Sequence, residues 1–389
     1  IIEQLFCSAQ ACFGGGDWGK KVRCTQKKAI NALIVKICIF IFAGENYMKH
    51  TIALIGCGRI SFKHIESYVN NKEKLDLAAV CDPVLDRAEA KKAEYEKNIT
   101  SAKVKVYADY KQMLSELKPE IVTIATESGK HRNIAIDCLN AGAHVICEKP
   151  MALTKSDAEK MIYKSLEVSR NIFCVMQNRY SPPSVWLKEI VSQQIIGKPF
   201  MIQLNCYWNR DERYYKKGGW HGNGTLDGGT LFTQFSHFID IMYWLFGDIS
   251  NIKANFKDFN HQNLTDFEDS GFVSFDFVNG GMGSLNYSTS VWDSNLESSI
   301  TIVGEKGTIK VAGQYMNEVV YCNIKDYKIP ELAPCNPPND YGQYKGSAAN
   351  HHYVIRNVVE TLQQKTTITT NAMEGLKVVD IIERIYACK

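Results

Sequence analysis

The chain has 389 residues, of which 45% are hydrophobic and 22% charged, with a formal net charge of +3. These values are typical of a globular enzyme with two domains, and no concentration of Lys and Arg indicates a nucleic-acid surface. The 13 cysteines are scattered singly. We therefore expect free thiols in a reducing cytoplasm, with neither a disulfide framework nor a metal site.

The first 47 residues differ in character from the rest of the chain. They contain three consecutive glycines, a basic patch and an apolar run from Ala29 to Ala43 that Lys36 interrupts. This run is shorter than the roughly 20 apolar residues that a membrane-spanning helix needs. We therefore expect residues 1–47 to be an N-terminal extension before a true start at Met48, rather than a membrane anchor.

Short apolar strands alternate with helices after Met48. The predicted strands are 51–55, 75–81, 104–106, 121–125 and 143–147, and the predicted helices are 60–69, 85–96, 110–117 and 131–140. This alternation predicts an α/β domain with a doubly wound parallel sheet. We place this nucleotide-binding domain at residues 48–172.

The pattern changes in residues 173–389. Longer β-type runs are predicted at 200–208, 271–277, 283–290, 299–303 and 308–311, and helices at 185–192, 230–246, 353–363 and 375–387. Two segments have the composition of hairpin turns, Asn279-Gly280-Gly281 and Glu305-Lys306-Gly307. The second domain is therefore predicted to be α+β, with a large, open and mainly antiparallel sheet.

A glycine motif joins the first predicted strand to the first helix. It reads Ile55-Gly56-Cys57-Gly58-Arg59-Ile60-Ser61. Glycines at such a turn let backbone N–H groups approach a pyrophosphate at the helix N-terminus, where the helix dipole favours an anion. The small Ser61 stands where a third glycine is usual and still permits close packing of helix on strand.

Asp82 ends the second predicted strand, at the spacing expected for a ribose-binding carboxylate. A carboxylate there repels a 2′-phosphate, and the following residue is Pro83 rather than an arginine. The cofactor is therefore predicted to be NAD rather than NADP. The alternative is that Asp82 only caps a helix in a fold that binds no nucleotide.

Two residues are candidates for acid–base chemistry. Lys149, in Glu148-Lys149-Pro150, follows the fifth strand at the sheet edge where ligands bind, although a surface lysine is the commoner explanation. His237 lies on the apolar helix 230–246 with Thr233 and Asp240 on the same stripe, although a lone histidine there is more often a core residue. Either Lys149 or His237 is suited to take a proton from an alcohol, and the sequence leaves the choice open.

Together these motifs resemble the Gfo/Idh/MocA oxidoreductase family over residues 48–389. The resemblance implies a Rossmann domain, a C-terminal open-sheet domain through which members usually form dimers or tetramers, and Lys149 with His237 as the catalytic pair. It implies no metal. The cofactor contacts that it implies are Gly56, Gly58, Arg59, Ile60, Asp82, Thr126, His131, Glu148 and Lys149.

Further short motifs look like one branch of this family, the UDP-N-acetylglucosaminuronate 3-dehydrogenases. They are Ala125–His131, Gln177–Tyr180, Trp208–Asp211, Leu226–Gly229, Asn295–Ser298 and Asn339–Gly342. The branch implies a nucleotide-sugar partner and oxidation of the sugar C3 hydroxyl to a ketone, in making sugars for surface polysaccharide.

An acidic nucleotide sugar needs cations and planar donors in its site. We expect substrate contacts from Lys149, His237, Arg179 and Tyr180, the last two because they follow the strand that ends beside the cofactor. Thr233 stands where the family commonly carries Asp or Asn, so its role as a further contact is in doubt.

Three other functions fit the same sequence. An inositol or free-sugar dehydrogenase is one, and an NAD-dependent glycoside hydrolase is another. A sugar-sensing regulator would be expected to lose the Lys or the His, and both are present.

Overall fold

The computed structural model describes residues 49–389 apart from Lys217. The predictions made for residues 1–47 lie outside the described residues. The cysteines of residues 49–389 are free thiols. Within the part of the chain that the structure describes, no helix has the length and apolar character needed to cross a membrane.

The first half of the chain forms a six-stranded parallel sheet. Its strands are β1 (His50–Ile55), β2 (Leu75–Cys81), β3 (Lys105–Tyr107), β4 (Ile121–Ile124), β5 (His144–Cys147) and β6 (Ile172–Cys174). Their spatial order is β3-β2-β1-β4-β5-β6, the order of a dinucleotide-binding sheet. The order in which strands are added therefore switches from one side of β1 to the other at β4, and ligands bind at the carboxyl ends of the parallel strands beside such a switch point.

Helices cover both faces of this sheet. They are α1 (Ser61–Asn70), α2 (Leu85–Asn98), α3 (Tyr110–Leu117), α4 (His131–Asn140) and α5 (Lys155–Glu167). Side-chain oxygens set the start of two of them, because Asp109 accepts a hydrogen bond from the backbone of α3 and Thr154 from that of α5. Because helices cover both faces, every residue of β4 is buried, and so are Val145, Ile146 and Cys147 of β5.

The second sheet has seven strands. They are β7 (Pro199–Tyr207), β8 (Ile249–Lys257), β9 (Ser270–Phe277), β10 (Met282–Ser288), β11 (Glu297–Gly304), β12 (Gly307–Ala312) and β13 (Glu318–Ile324). Only the pairing of β7 with β10 is parallel, and the spatial order is β13-β12-β11-β7-β10-β9-β8. In β7, buried Ile202, Leu204 and Cys206 alternate with more exposed residues, so one face of the sheet packs on helices and the other is open.

The remaining elements connect and close the molecule. They are α6 (Pro182–Ser192), a π-helical turn (Leu231–Phe235), α7 (Ser236–Phe246), the short strands β14 (Pro338–Asp340) and β15 (Lys345–Ala348), α8 (His351–Leu362) and α9 (Ala372–Tyr386). A capping box between Asn371 and Glu374 begins α9. Although α8 comes late in the chain, it packs on α1, and its Val354, Ile355 and Val358 join the core of the first sheet.

The fold class predicted from the sequence is confirmed, and several details differ. The predictions named no element at α5, β6, β8, β13, β14 or β15. The expected continuous helix 230–246 is divided into the π-helical turn and α7. Because β6 pairs with β5, the first sheet continues across the predicted domain boundary after residue 172.

Candidate functional site

A cavity of about 840 Å³ opens at the carboxyl ends of β1, β2, β4 and β5. Residues of both halves of the chain line it, from the glycine turn after β1 to the segment around β14 and β15. The cavity is large enough for a cofactor and a small ligand together.

The glycine turn after β1 has the shape that a pyrophosphate requires. Gly56 has φ +95°, and a Cβ there would lie 2.5 Å from the carbonyl oxygen of Ala125, so only glycine fits. At Gly58, by contrast, no described protein atom lies within 4 Å of an added Cβ, which leaves the turn open to a ligand. The turn leads directly into α1 and faces the cavity, as the sequence predicts.

Asp82 lies at the end of β2 on the cavity wall. Its two carboxylate oxygens accept backbone hydrogen bonds from Cys57 (2.9 Å) and Val84 (2.8 Å). These bonds hold the carboxylate next to the glycine turn, and each oxygen keeps a lone pair for a ribose hydroxyl. Gly58, Asp82 and the N-terminus of α1 together fit the adenosine half of a dinucleotide.

Lys149 follows β5 and lines the same cavity. Its ammonium Nζ donates a hydrogen bond to the backbone carbonyl of Thr233 at 2.5 Å. Burial lowers the pKa of Lys149 to about 8, although the Glu148 carboxylate acts in the opposite direction. A lysine with this pKa exchanges protons near neutral pH.

His237 lies on α7, one helical turn after the carbonyl that holds Lys149, and also lines the cavity. Its Nε2 lies 3.2 Å from the side-chain amide nitrogen of Gln177. Burial lowers the pKa of His237 well below the usual value, and the charge of Lys149 adds to this. The imidazole is therefore neutral, and the structure brings the two residues together across the cavity.

Glu148 is held by two histidines distant in sequence. Its Oε1 lies 2.8 Å from Nε2 of His64 on α1 and 3.4 Å from Nε2 of His351 on α8. Burial alone would raise the pKa of Glu148, but the close contact with His351 and the hydrogen bond with His64 hold it well below the usual value. One nitrogen or oxygen atom from each of His64, Glu148 and His351 lies within 4.8 Å of the other two, a grouping that no spacing in the sequence indicated. The Oε2 atom of Glu148 also accepts a hydrogen bond from the backbone N–H of Lys149 at 3.2 Å, which fixes the backbone there.

Among the other predicted cofactor contacts, Arg59, Ile60 and Thr126 line the cavity, but His131 does not. The two ring nitrogens of His131 lie 2.9 Å from the carbonyl oxygen of Pro150 and 3.1 Å from that of Thr126. The ring is buried behind the cavity wall, so its prediction as a cofactor contact is corrected: it holds backbone that the cofactor site uses.

The prediction that Arg179 and Tyr180 contact the substrate is also corrected, because neither lines the cavity. Arg179 is 1% exposed, and its guanidinium donates two hydrogen bonds to Asp240, at 2.6 and 2.8 Å, and one to Glu374 at 2.7 Å. Tyr180 stacks on Tyr353 of α8. Arg179 therefore joins α7 to α9, and Asp240 belongs to this ion pair rather than to the site.

Thr233 lines the cavity, but its hydroxyl is engaged by Asp227. Asp227 also accepts a hydrogen bond from the backbone of Gly222 at 2.8 Å, and burial raises its pKa to about 6. A carboxylate is therefore present beside Thr233, although it comes from the loop before the π-helical turn.

Several cavity residues were not predicted. Tyr341 and Tyr344 come from the segment around β14 and β15, and His351 and His221 from other loops and helices. Arg210, within the motif Trp208–Asp211, was given no specific role, and the structure places it on the cavity wall. The motifs Trp208–Asp211 and Asn339–Gly342 were signals for these positions, but a motif does not tell which of its residues faces the ligand.

Comparison with known proteins is consistent with this site. Residues 50–175 match the oxidoreductase family with an NAD-binding Rossmann fold, and residues 185–310 match the GFO/IDH/MocA C-terminal domain. Inositol 2-dehydrogenase of Salmonella typhimurium is 28% identical over 205 residues, which are 52% of this chain and 56% of that protein. The D-glucoside 3-dehydrogenase of Escherichia coli is 26% identical over 248 residues, 59% of this chain and 68% of that protein. The chain thus spans little more than half the length of the inositol 2-dehydrogenase.

Two solved structures match over nearly their whole length. The WlbA dehydrogenase from Bordetella pertussis, in complex with NADH and UDP-GlcNAcA, is 28% identical, with a TM-score of 0.77 over 87% of this chain and 96% of that one. The enzyme of the same name from Chromobacterium violaceum, also with NADH and UDP-GlcNAcA, is 29% identical, with a TM-score of 0.76 over 87% and 93% of the two chains.

The two matching domains follow each other in the order that the sequence predicted, and the glycine turn and Asp82 lie where an NAD-binding domain needs them. The chain therefore belongs to the Gfo/Idh/MocA oxidoreductase family and has that family's NAD-binding Rossmann domain and C-terminal domain.

Proposed function

We propose that this protein is an NAD-dependent dehydrogenase that oxidises the C3 hydroxyl of a UDP-linked N-acetylhexosaminuronate to a ketone, in nucleotide-sugar biosynthesis for surface polysaccharide. The observation that carries the proposal is the meeting of Lys149 and His237 in one cavity with the glycine turn and Asp82. The likeness to two enzymes solved with NADH and UDP-GlcNAcA supports the substrate.

Alcohol oxidation removes a proton from oxygen while a hydride leaves carbon, and NAD, when bound, accepts that hydride. The chain supplies the proton acceptor. Lys149, with its pKa of about 8, is matched to this task near neutral pH, and we propose it as the acceptor. The neutral imidazole of His237 is then placed to hold the reacting hydroxyl by a hydrogen bond.

The residues around the pair keep them in place. The carbonyl of Thr233 orients the Lys149 amine, and Gln177 orients His237. His64 and His351 hold the Glu148 carboxylate, which accepts a hydrogen bond from the backbone N–H of Lys149 and so fixes the backbone there. We propose that residues 48–172 bind NAD and that residues 173–389 bind the sugar and form the oligomer.

The open face of the second sheet carries the kind of exposed apolar residues that form oligomer contacts. Met201, Met282 and Val303 lie side by side on β7, β10 and β11, and all three are exposed, as is Phe272 on β9. Apolar residues grouped in this way mark contact surfaces. We propose that the protein is a homo-oligomer through this face.

The direct test is to add NAD and UDP-N-acetylglucosaminuronate to the purified protein and to follow NADH by its near-ultraviolet absorbance. We expect NADH and a 3-keto product to form in equal amounts. The Lys149→Ala variant is the control for catalysis at this site. Release of UDP and free, non-oxidised sugar without net NADH would contradict the proposal and indicate a hydrolase.

A second candidate is an inositol or free-sugar dehydrogenase. The curated inositol 2-dehydrogenases that match at 28% identity favour it. The same assay with myo-inositol and D-glucose separates the two, because such an enzyme would reduce NAD with a free polyol and would not be protected against heat by UDP alone.

A further inference from the structure

Two arginines of the described residues are almost fully buried, and their surroundings are opposite. Arg179 is 1% exposed and pairs with two carboxylates, as described above. Arg210, in the loop after β7, is 2% exposed and lines the cavity. Among the described residues, no carboxylate oxygen lies within 4 Å of the nitrogens of Arg210, so its charge has no partner in the part of the chain that is described.

The hydrogen bonds of Arg210 all go to neutral groups. Nε donates to the side-chain oxygen of Gln234 at 2.7 Å, and Nη2 to the carbonyl of Lys345 at 3.1 Å. Nη1 donates to the carbonyl of Asn209 at 2.6 Å and to the side-chain oxygen of Asn295 at 3.1 Å. A guanidinium has five N–H donors. One N–H on Nη2 therefore remains for a ligand.

Aromatic rings form the rest of the surroundings. The guanidinium carbon lies 4.7 Å from the ring centre of Trp208, 5.0 Å from that of Tyr344 and 5.2 Å from that of Tyr214. Cation–π contacts offset only part of the several kcal/mol that burying an ion costs. Burial accordingly lowers the pKa of Arg210 from its usual value. A site that keeps such a cation is prepared for an anion.

The neighbouring charges also favour an anionic ligand. Burial lowers the pKa of His221 to about 3, and the positive charges of Arg59, Lys149 and Arg210 act in the same direction. The buried carboxylate of Asp227 nearby is already bonded to Thr233 and Gly222. The sugar end of the cavity is therefore positive.

We propose that Arg210 determines specificity by binding an ionised carboxylate on the sugar ring that is oxidised. The proposal rests on the proposed function and assigns it a recognition residue. The position of Arg210 favours the ring carboxylate over the diphosphate. Gln234, which holds Arg210, directly follows Thr233, whose carbonyl holds the Lys149 amine. The anion is thus bound next to the reacting hydroxyl.

The test is calorimetric binding to the protein saturated with NADH. The two ligands are UDP-N-acetylglucosaminuronate and UDP-N-acetylglucosamine, which differ only at the sugar C6, a carboxylate in the first and a hydroxymethyl group in the second. We expect the wild type to prefer the acid, and Arg210→Met to weaken binding of the acid by about 10- to 100-fold, the value of one charge-assisted hydrogen bond. Binding of the neutral sugar should change by less than about threefold.

Two further variants make the result specific. Arg210→Lys keeps the cation and should retain part of the preference, and it carries the test if Arg210→Met does not fold. Arg213→Met is the matched control, because Arg213 lies on the same loop, pairs with Asp211 and Asp293 and does not line the cavity. We expect it to change neither affinity. Equal losses for both ligands in Arg210→Met, or no preference in the wild type, would overturn the proposal.

Failure of the proposed function has a different signature. In that case the wild type binds neither uridine nucleotide, and the same comparison is made with D-glucuronate and D-glucose by thermal shift in the presence of NADH. Stabilisation by the acid alone, lost in Arg210→Met, supports the anion site independently of the nucleotide. Equal stabilisation by both sugars, or by neither, overturns it.

Discussion

The pKa of Lys149 predicts the pH dependence of the reaction. With a pKa of about 8, roughly 10% of the amine is neutral at pH 7 and roughly 90% at pH 9. If the neutral amine accepts the proton, kcat/KM at saturating NAD should rise roughly tenfold across this interval. The sign follows from the chemistry, because the protonated form is inactive and is lost as pH rises through the pKa.

The measurement is the initial rate of NADH formation at low sugar concentration between about pH 6 and pH 9. Lys149→Arg is the matched control, since arginine stays charged over this range and its residual rate should not show the rise. If His237 were the acceptor instead, the rate would not rise across this interval, because the pKa of His237 lies well below the usual value and the imidazole is already neutral. A profile that is flat from neutral to alkaline pH in the wild type would refute the assignment of Lys149 as the acceptor.

Four further predictions test other parts of the structure. His237→Ala should lower turnover by roughly 10²- to 10⁴-fold while NAD binding, measured by fluorescence titration, is kept; unchanged turnover would remove His237 from the mechanism. Asp82→Ala should weaken NAD binding and reduce the preference for NAD over NADP, as measured by parallel titrations with both cofactors. An unaltered preference for NAD would exclude the contact of Asp82 with the ribose. Gly56→Ala should abolish NAD binding, because the new Cβ would lie 2.5 Å from the carbonyl oxygen of Ala125, and Gly142→Ala, also at positive φ but with open space around it, is its control. Arg179→Met should lower the free energy of unfolding by about 3–5 kcal/mol in urea titrations, because it leaves Asp240 buried without its partner; a change in KM with stability intact would restore Arg179 to the substrate site.

The sequence was sufficient for the features that depend on local backbone. The glycine turn, the carboxylate at the end of β2 and the lysine after β5 each lie on one strand end, and the parallel sheet brings these ends to one edge. His237 could also be predicted, because a polar group on an otherwise apolar helix is rare enough to be noticed. These residues line the cavity together.

Residues whose partners are far away in the chain could not be assigned from the sequence. Arg179 is beside the cofactor strand, but the carboxylates that bind it lie 61 and 195 residues further on. Arg210 is only one position of the motif Trp208–Asp211 in the sequence, and only the structure shows that it is buried with no carboxylate partner among residues 49–389 as described. The two histidines on Glu148 come from α1 and α8 for the same reason.

The packing of α8 on α1 has a consequence for how the protein is made. Because Val354, Ile355 and Val358 complete the core around the first sheet, the nucleotide-binding half cannot finish folding on the ribosome until nearly the whole polypeptide has emerged. Its apolar surface stays uncovered through synthesis of the second sheet, a period in which an incomplete chain is prone to aggregate. A fragment ending after β6 lacks α8 and would keep that surface exposed, so we expect the two halves to fold as one unit.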